Sequence, residues 1–101
     1  MRLIIFFDLP TLTAKDRKDY STFRKNLLKE GFIMMQESVY TKLALNQSAV
    51  DLATIRIKRI IPSSGLVQIL VVTEKQFASI DNCVGECPSN FLSTTERLTI
   101  L

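Results

Sequence analysis

Histidine and tryptophan are absent from this 101-residue sequence, and only two cysteines, three glycines and three prolines occur in it. Without an imidazole there is no Ser-His or Cys-His pair to activate a nucleophile, which excludes triad chemistry. A tetrahedral zinc site would need ligands beyond Cys83 and Cys87, drawn from carboxylates or from a second chain, so two reduced thiols in a polar loop is the simpler reading. Sparse Gly and Pro, with 47% hydrophobic and 23% charged residues, exclude a disordered tail and a fibrous repeat. The longest apolar runs, Leu3 to Phe7 and Leu66 to Val72 with Gln68 inside it, fall well short of the roughly 20 residues a membrane-spanning helix needs. Met1-Arg2 before the first run has neither the apolar length nor the cleavage pattern of a secretory leader, so the expectation is a cytoplasmic protein without a membrane partner. A chain of this length builds one core and requires no disulfide or metal staple.

Charge is present but uneven. The formal net charge is +3, yet residues 1–61 hold eleven Lys/Arg against six Asp/Glu, while residues 62–101 hold two against four. The excess gathers in Lys15, Arg17, Lys18, Arg24, Lys25 and Lys29 and in Arg56, Lys58 and Arg59, a distribution that suits a polyanionic partner as well as a solvated face.

Arg2 to Asp8 reads as a central strand buried on both faces. Thr13 with Asp16 three residues on forms a capping box for a helix running to about Glu30, and Gly31 stops it. On that helix Tyr20, Phe23 and Leu27 make the apolar stripe, while Lys15, Lys18, Lys25 and Lys29 face water. Arg17 and Arg24 flank the stripe and want an anionic partner, a protein carboxylate or a phosphate. Phe32 to Leu43 is strand-like, with a polar interruption at Gln36-Glu37-Ser38 where it bends or splits. Asn46 or Ser48 caps a second helix carrying Val50, Ala53, Ile57 and Ile60, and Pro62 to Gly65 ends it. Leu66 to Thr73 reads as a second buried strand, Gln76 to Ile80 as a strand or a helical turn, and residues 97–101 as a short terminal strand that pairs with another strand or another subunit.

This order predicts an α+β fold, a ferredoxin-like two-layer sandwich of βαββαβ type over residues 1–80, followed by a loop and extra C-terminal strand over residues 81–101. Both helices cover one sheet face. The other is left bare and apolar, which predicts a homodimer joined sheet to sheet. Asp8, at the carboxyl end of the most apolar strand, is either a turn residue or a ligand. With triads excluded, a carboxylate-bound Mg²⁺ is the most available catalyst, and a twofold dimer would bring two copies of Asp8 together.

The strand end Phe6-Phe7-Asp8-Leu9-Pro10, Arg17, the helix segment Tyr20-x-x-Phe23-Arg24 with Leu27-Leu28, Gly31-Phe32 and Gln36-x-Ser38-Val39-Tyr40 together resemble the CRISPR-associated endoribonuclease family, the small protein of the spacer-acquisition module. Val72 to Phe77 resembles the branch found beside the large single-effector DNA-cutting enzyme of type II systems. The resemblance implies a ferredoxin-like homodimer, Mg²⁺ at Asp8 as the catalytic and metal position, and cutting of RNA or DNA as in some members. It also implies an adaptor role between two dimers of the CRISPR integrase, with spacer-precursor duplex DNA as the bound nucleic acid. On this reading Lys15, Arg17, Lys18, Arg24, Lys25 and Lys29 contact nucleic acid, and Arg97, Leu98, Thr99, Ile100 and Leu101 dock the integrase. Phe7 stands where many members carry tyrosine, so that hydroxyl donor is missing. The alternative is a free-standing Mg²⁺-dependent endoribonuclease of the same fold outside CRISPR.

Overall fold

The computed structural model describes residues 1–85. Along them run β1 (Arg2–Asp8), α1 (Ala14–Lys29), β2 (Ile33–Gln36), β3 (Val39–Leu43), α2 (Gln47–Ile60), β4 (Leu66–Val72) and α3 (Glu74–Ala78). The strands form one antiparallel sheet in the order β2-β3-β1-β4, the ferredoxin-like arrangement predicted. Residues 97–101, the expected terminal strand, lie outside the described residues, as does Cys87; Cys83 is exposed.

Local chemistry explains the boundaries. Thr13 accepts from the Asp16 amide and Asp16 accepts in return from the Thr13 amide, so the predicted capping box forms and starts α1. Gly31, at φ 91°, takes the left-handed turn that ends it, and the Lys42 ammonium donates to the Glu30 carbonyl at 2.6 Å. Asn46, of the two predicted candidates, caps α2 by accepting from the Ala49 amide. The polar interruption at residues 36–38 splits one strand into two, with a register shift between Met34 and Gln36.

Period-two alternation then divides β1. Leu3, Ile5 and Phe7 point into the core, against Phe23 and Leu27 of α1 and Val50, Ala53 and Ile57 of α2. Fully burying each of the larger of these, the Leu, Ile, Val and Phe side chains, stabilises the fold by about 1.5–3 kcal/mol. Arg2, Ile4, Phe6 and Asp8 point to the opposite, outer face. Thr41 is buried on that face, and its hydroxyl is satisfied by donating to the Leu3 carbonyl at 3.0 Å.

Two expectations are corrected. The outer face is not wholly bare, because the segment after β4 is helical. A second capping box, Thr73 with Gln76, starts α3, whose Phe77 packs on Ile4 with Met35, Val39, Val72 and Ile80 around it. Arg2 holds this helix down. Its guanidinium stacks 4.3 Å over the Phe77 ring and donates to both Glu74 carboxylate oxygens, at 2.6 and 2.9 Å. The second correction concerns β4, which is an edge strand rather than a buried one. Leu66 and Leu70 are about half exposed because only β1 pairs with it and α3 covers little of its outer side. Among the described residues no helix is long and apolar enough to cross a membrane.

The Arg2 hydrogen bond holds the Glu74 carboxyl below its usual range, against the opposing effect of partial burial. Stability from this pair is therefore present above the unfolded-state pKa of about 4.3 and is lost as pH falls through the lowered folded value. Glu74→Gln should cost less than about 1 kcal/mol at pH 7, since the carboxylate is half exposed. In urea unfolding the gap between variant and parent should narrow as pH falls from 7 to 3; a gap of the same size at both pH values would contradict the pairing.

Candidate functional site

Phe7 sets the site because it is the last inward residue of β1. Its ring meets Phe23 edge-on at 5.2 Å, Tyr20 at 5.8 Å and Tyr40 at 5.7 Å, clamping the strand end between α1 and β3. The Phe7 amide donates to the Ser38 carbonyl at 3.1 Å, carrying the ladder past the Phe6–Val39 pair. With Phe7 turned inward, Asp8 must turn outward. The position at which a tyrosine would add a hydroxyl thus lies in the core, among Tyr20, Phe23 and Tyr40, rather than beside the Asp8 carboxylate.

Asp8 is exposed and lies opposite Leu66 of β4. It lines an open depression of about 250 Å³ together with Phe6, Phe7, Ser38, Val39, Leu66 and Gln68. No ion pair of the described residues uses its carboxylate. The polar groups around the depression are a carboxylate, a hydroxyl and an amide, an all-oxygen donor set that suits Mg²⁺, which binds through one or two carboxylates and keeps much of its water. No cluster of three or more His, Cys, Asp or Glu exists among the described residues, so the described part of one chain offers Asp8 as a lone anionic ligand. The turn from α2 into β4 presses on the same strand end. A Cβ at Gly65, where φ is 96°, would stand 2.7 Å from Leu9 Cδ2 and 2.8 Å from the Asp8 carbonyl oxygen.

The basic residues lie in the other layer. Lys15, Lys18, Arg24, Lys25 and Lys29 are exposed on α1, and Arg56, Lys58 and Arg59 on α2, so both helices contribute to one positively charged surface. Arg56 approaches Glu30 at 3.7 Å. Arg17 makes no ion pair with a carboxylate among the described residues. Its guanidinium donates instead to the Thr11 and Leu12 carbonyls, both at 3.2 Å, which fixes the loop between Asp8 and α1. Arg24 sits close enough to Tyr40 to oppose the upward shift that burial gives that phenol. The sheet therefore separates Asp8 from the lysines, and the structure does not gather the predicted residues into one pocket. Ser38 and Gln68, which line the depression, and Gly65 behind it were not among the predicted site residues. For Gln68 the signal was present, as the one polar residue of LVQILVV.

Comparison with known proteins agrees with this geometry. The family model described as CRISPR associated protein Cas2 matches residues 1–80. A Treponema denticola protein named CRISPR-associated endoribonuclease Cas2 is 50% identical over 101 residues, covering 100% of both chains. Proteins of the same name from Ligilactobacillus salivarius and from Streptococcus mutans serotype c (strain ATCC 700610 / UA159) are 44% and 48% identical, each across 100% of this chain and 100% and 93% of their own.

Gly65→Ala should destabilise the chain by about 1–3 kcal/mol, because it combines positive-φ strain with a backbone clash at Asp8. Thermal unfolding checks this; a midpoint unchanged from the parent would show that the turn does not press on the strand end.

Proposed function

The chain belongs to the CRISPR-associated Cas2 family, and from that premise we propose that it acts as a homodimeric adaptor in spacer acquisition, bridging integrase dimers and binding spacer-precursor duplex DNA. The observation that carries this reading is the division of the molecule into a basic helical layer and an outer sheet face whose apolar residues are left uncovered beside Asp8. Phe6, Leu66 and Leu70 are between 37% and 54% exposed on that face, and apolar side chains so grouped favour burial against a second copy. Pairing sheet to sheet turns both helical layers outward. Lys15, Lys18, Lys25 and Lys29 of each copy then follow duplex phosphates without reading sequence, and residues 97–101 serve as the segment that docks the integrase.

A second activity, metal-dependent phosphodiester cleavage, is favoured by the exposed Asp8 carboxylate, which makes no ion pair among the described residues, and by the endoribonuclease named for the relatives. The twofold pairing would set two Asp8 carboxylates at one Mg²⁺ site. Bound there, Mg²⁺ would lower the pKa of water and offset phosphate charge. The chain's own contribution is to orient Asp8 through Phe7, hold the adjoining loop through Arg17 and keep the floor of the site apolar with Phe6 and Leu66. The fold thus combines a scaffold surface with a hydrolytic site on opposite layers, which makes the two activities separable by mutation.

Asp8→Ala should reduce Mg²⁺-dependent cleavage of RNA or DNA by about 100-fold or more while leaving the dimer and spacer acquisition intact; full cleavage by this variant would remove Asp8 from the chemistry. Replacing Lys18, Lys25 and Lys29 with Glu should weaken duplex binding alike for all sequences and reduce the slope of log affinity against log salt by about 0.9 for each phosphate that is no longer neutralised. An unchanged slope in a salt titration would place the duplex elsewhere. Deleting residues 97–101 should stop acquisition while sedimentation still shows a folded dimer.

A further inference from the structure

β4 reads LVQILVV, and Gln68 is its single polar residue. The register sets Gln68 opposite Phe6 and Leu66 opposite Asp8, so Gln68 stands on the outer face as the diagonal neighbour of Asp8. Such diagonal positions on one face are about 7–8 Å apart, within reach of a long side chain. Gln68 is exposed and lines the same depression as Asp8 and Ser38. Among its immediate neighbours on that face, Phe6 across from it and Leu66, Leu70 and Val72 along β4, an amide is out of place. Burying it against a second copy without a partner would oppose association, whereas leucine at the same register would extend the apolar face.

We propose that Gln68 is a positioning residue of the Asp8 site, its amide oxygen accepting a hydrogen bond from water coordinated to a divalent cation and so holding that water shell against the carboxylate. The inference rests on the reading of Asp8 as a cation ligand. A cation bound through one carboxylate per chain keeps several waters, and those waters need acceptors that fix their orientation. Beside Asp8 the depression offers the Gln68 amide oxygen and the Ser38 hydroxyl, and of the two only Gln68 lies on the strand that pairs directly with β1 at Asp8. The amide has no charge of its own, so it adds no repulsion when two Asp8 carboxylates approach one another.

The test is titration of the full chain with Mn²⁺ as an oxygen-seeking probe, following free Mn²⁺ by electron paramagnetic resonance, with circular dichroism confirming the fold of each variant. Gln68→Leu should weaken binding about 10-fold or more, the usual scale for losing an outer-shell partner, while Gln68→Glu, isosteric and anionic, should bind Mn²⁺ more tightly than the parent. A side chain that merely supported the sheet would not produce that opposite pair of shifts. If Gln68→Leu binds as the parent does while Asp8→Ala has lost binding, the role of Gln68 is overturned and the reading of Asp8 stands. If Gln68→Glu binds no more tightly than the parent, the role is likewise overturned. Parent-like binding by Asp8→Ala would overturn both.

Discussion

The aromatic clamp on Phe7 is the constraint from which the site follows. Because the ring is gripped on three sides by Tyr20, Phe23 and Tyr40, the final residues of β1 have no freedom to twist, and strand alternation then leaves one direction for Asp8. A carboxylate on a loose strand end would sample many positions and bind a cation poorly. Here its backbone is fixed by the core, its loop by the two carbonyl bonds from Arg17 and its flank by the turn at Gly65. The apolar core thus performs the orienting task that hydrogen-bond networks perform in sites richer in polar residues.

The sheet also acts as a partition. One side buries the helices and leaves their basic surfaces outward; the other is shared between α3 and open surface. The Arg2–Glu74 pair and the Arg2–Phe77 stack hold α3 over Ile4, so that among the described residues α3 packs on the sheet near the start of β1, away from the end carrying Phe6, Asp8, Leu66 and Gln68. A partner seated on this face is therefore directed toward the Asp8 end. A short helix of five residues would not remain formed by itself; its capping box and the Arg2 contacts hold it there.

Much of this was legible from residues alone. The strand Arg2–Asp8, the Thr13–Asp16 box, the stop at Gly31 and the Phe23/Leu27 stripe are local signals, and local signals survive into the fold. What could not be read depends on neighbours distant in sequence. An apolar run such as Leu66–Val72 has the same composition whether it lies at the centre of a sheet or at its edge, and only the order β2-β3-β1-β4 decides. The spacing of Arg17 says where it points and nothing of the loop carbonyls it meets. Glu74 and Arg2, seventy-two positions apart, show no relation until β4 lies beside β1. The place of Gln68 beside Asp8 emerged for the same reason, once register set it diagonal to that residue.

The proposed pairing of two sheets has an electrostatic consequence that bears on which activity prevails. Two carboxylates drawn together on an apolar floor repel each other, and the repulsion grows as water is excluded. A cation between them relieves it; so does a shared proton, or a small separation of the subunits that keeps water between the carboxylates. The first arrangement yields a hydrolytic site, the other two a scaffold with idle acids. The helical layers are indifferent to the choice, since they lie across the sheet from Asp8 and keep their charges in every case. If the helical layers hold a duplex as proposed, they would do so whatever the occupancy of the Asp8 site, so the supply of divalent cation would govern hydrolysis at the interface alone and leave the holding of nucleic acid on the far layers unchanged.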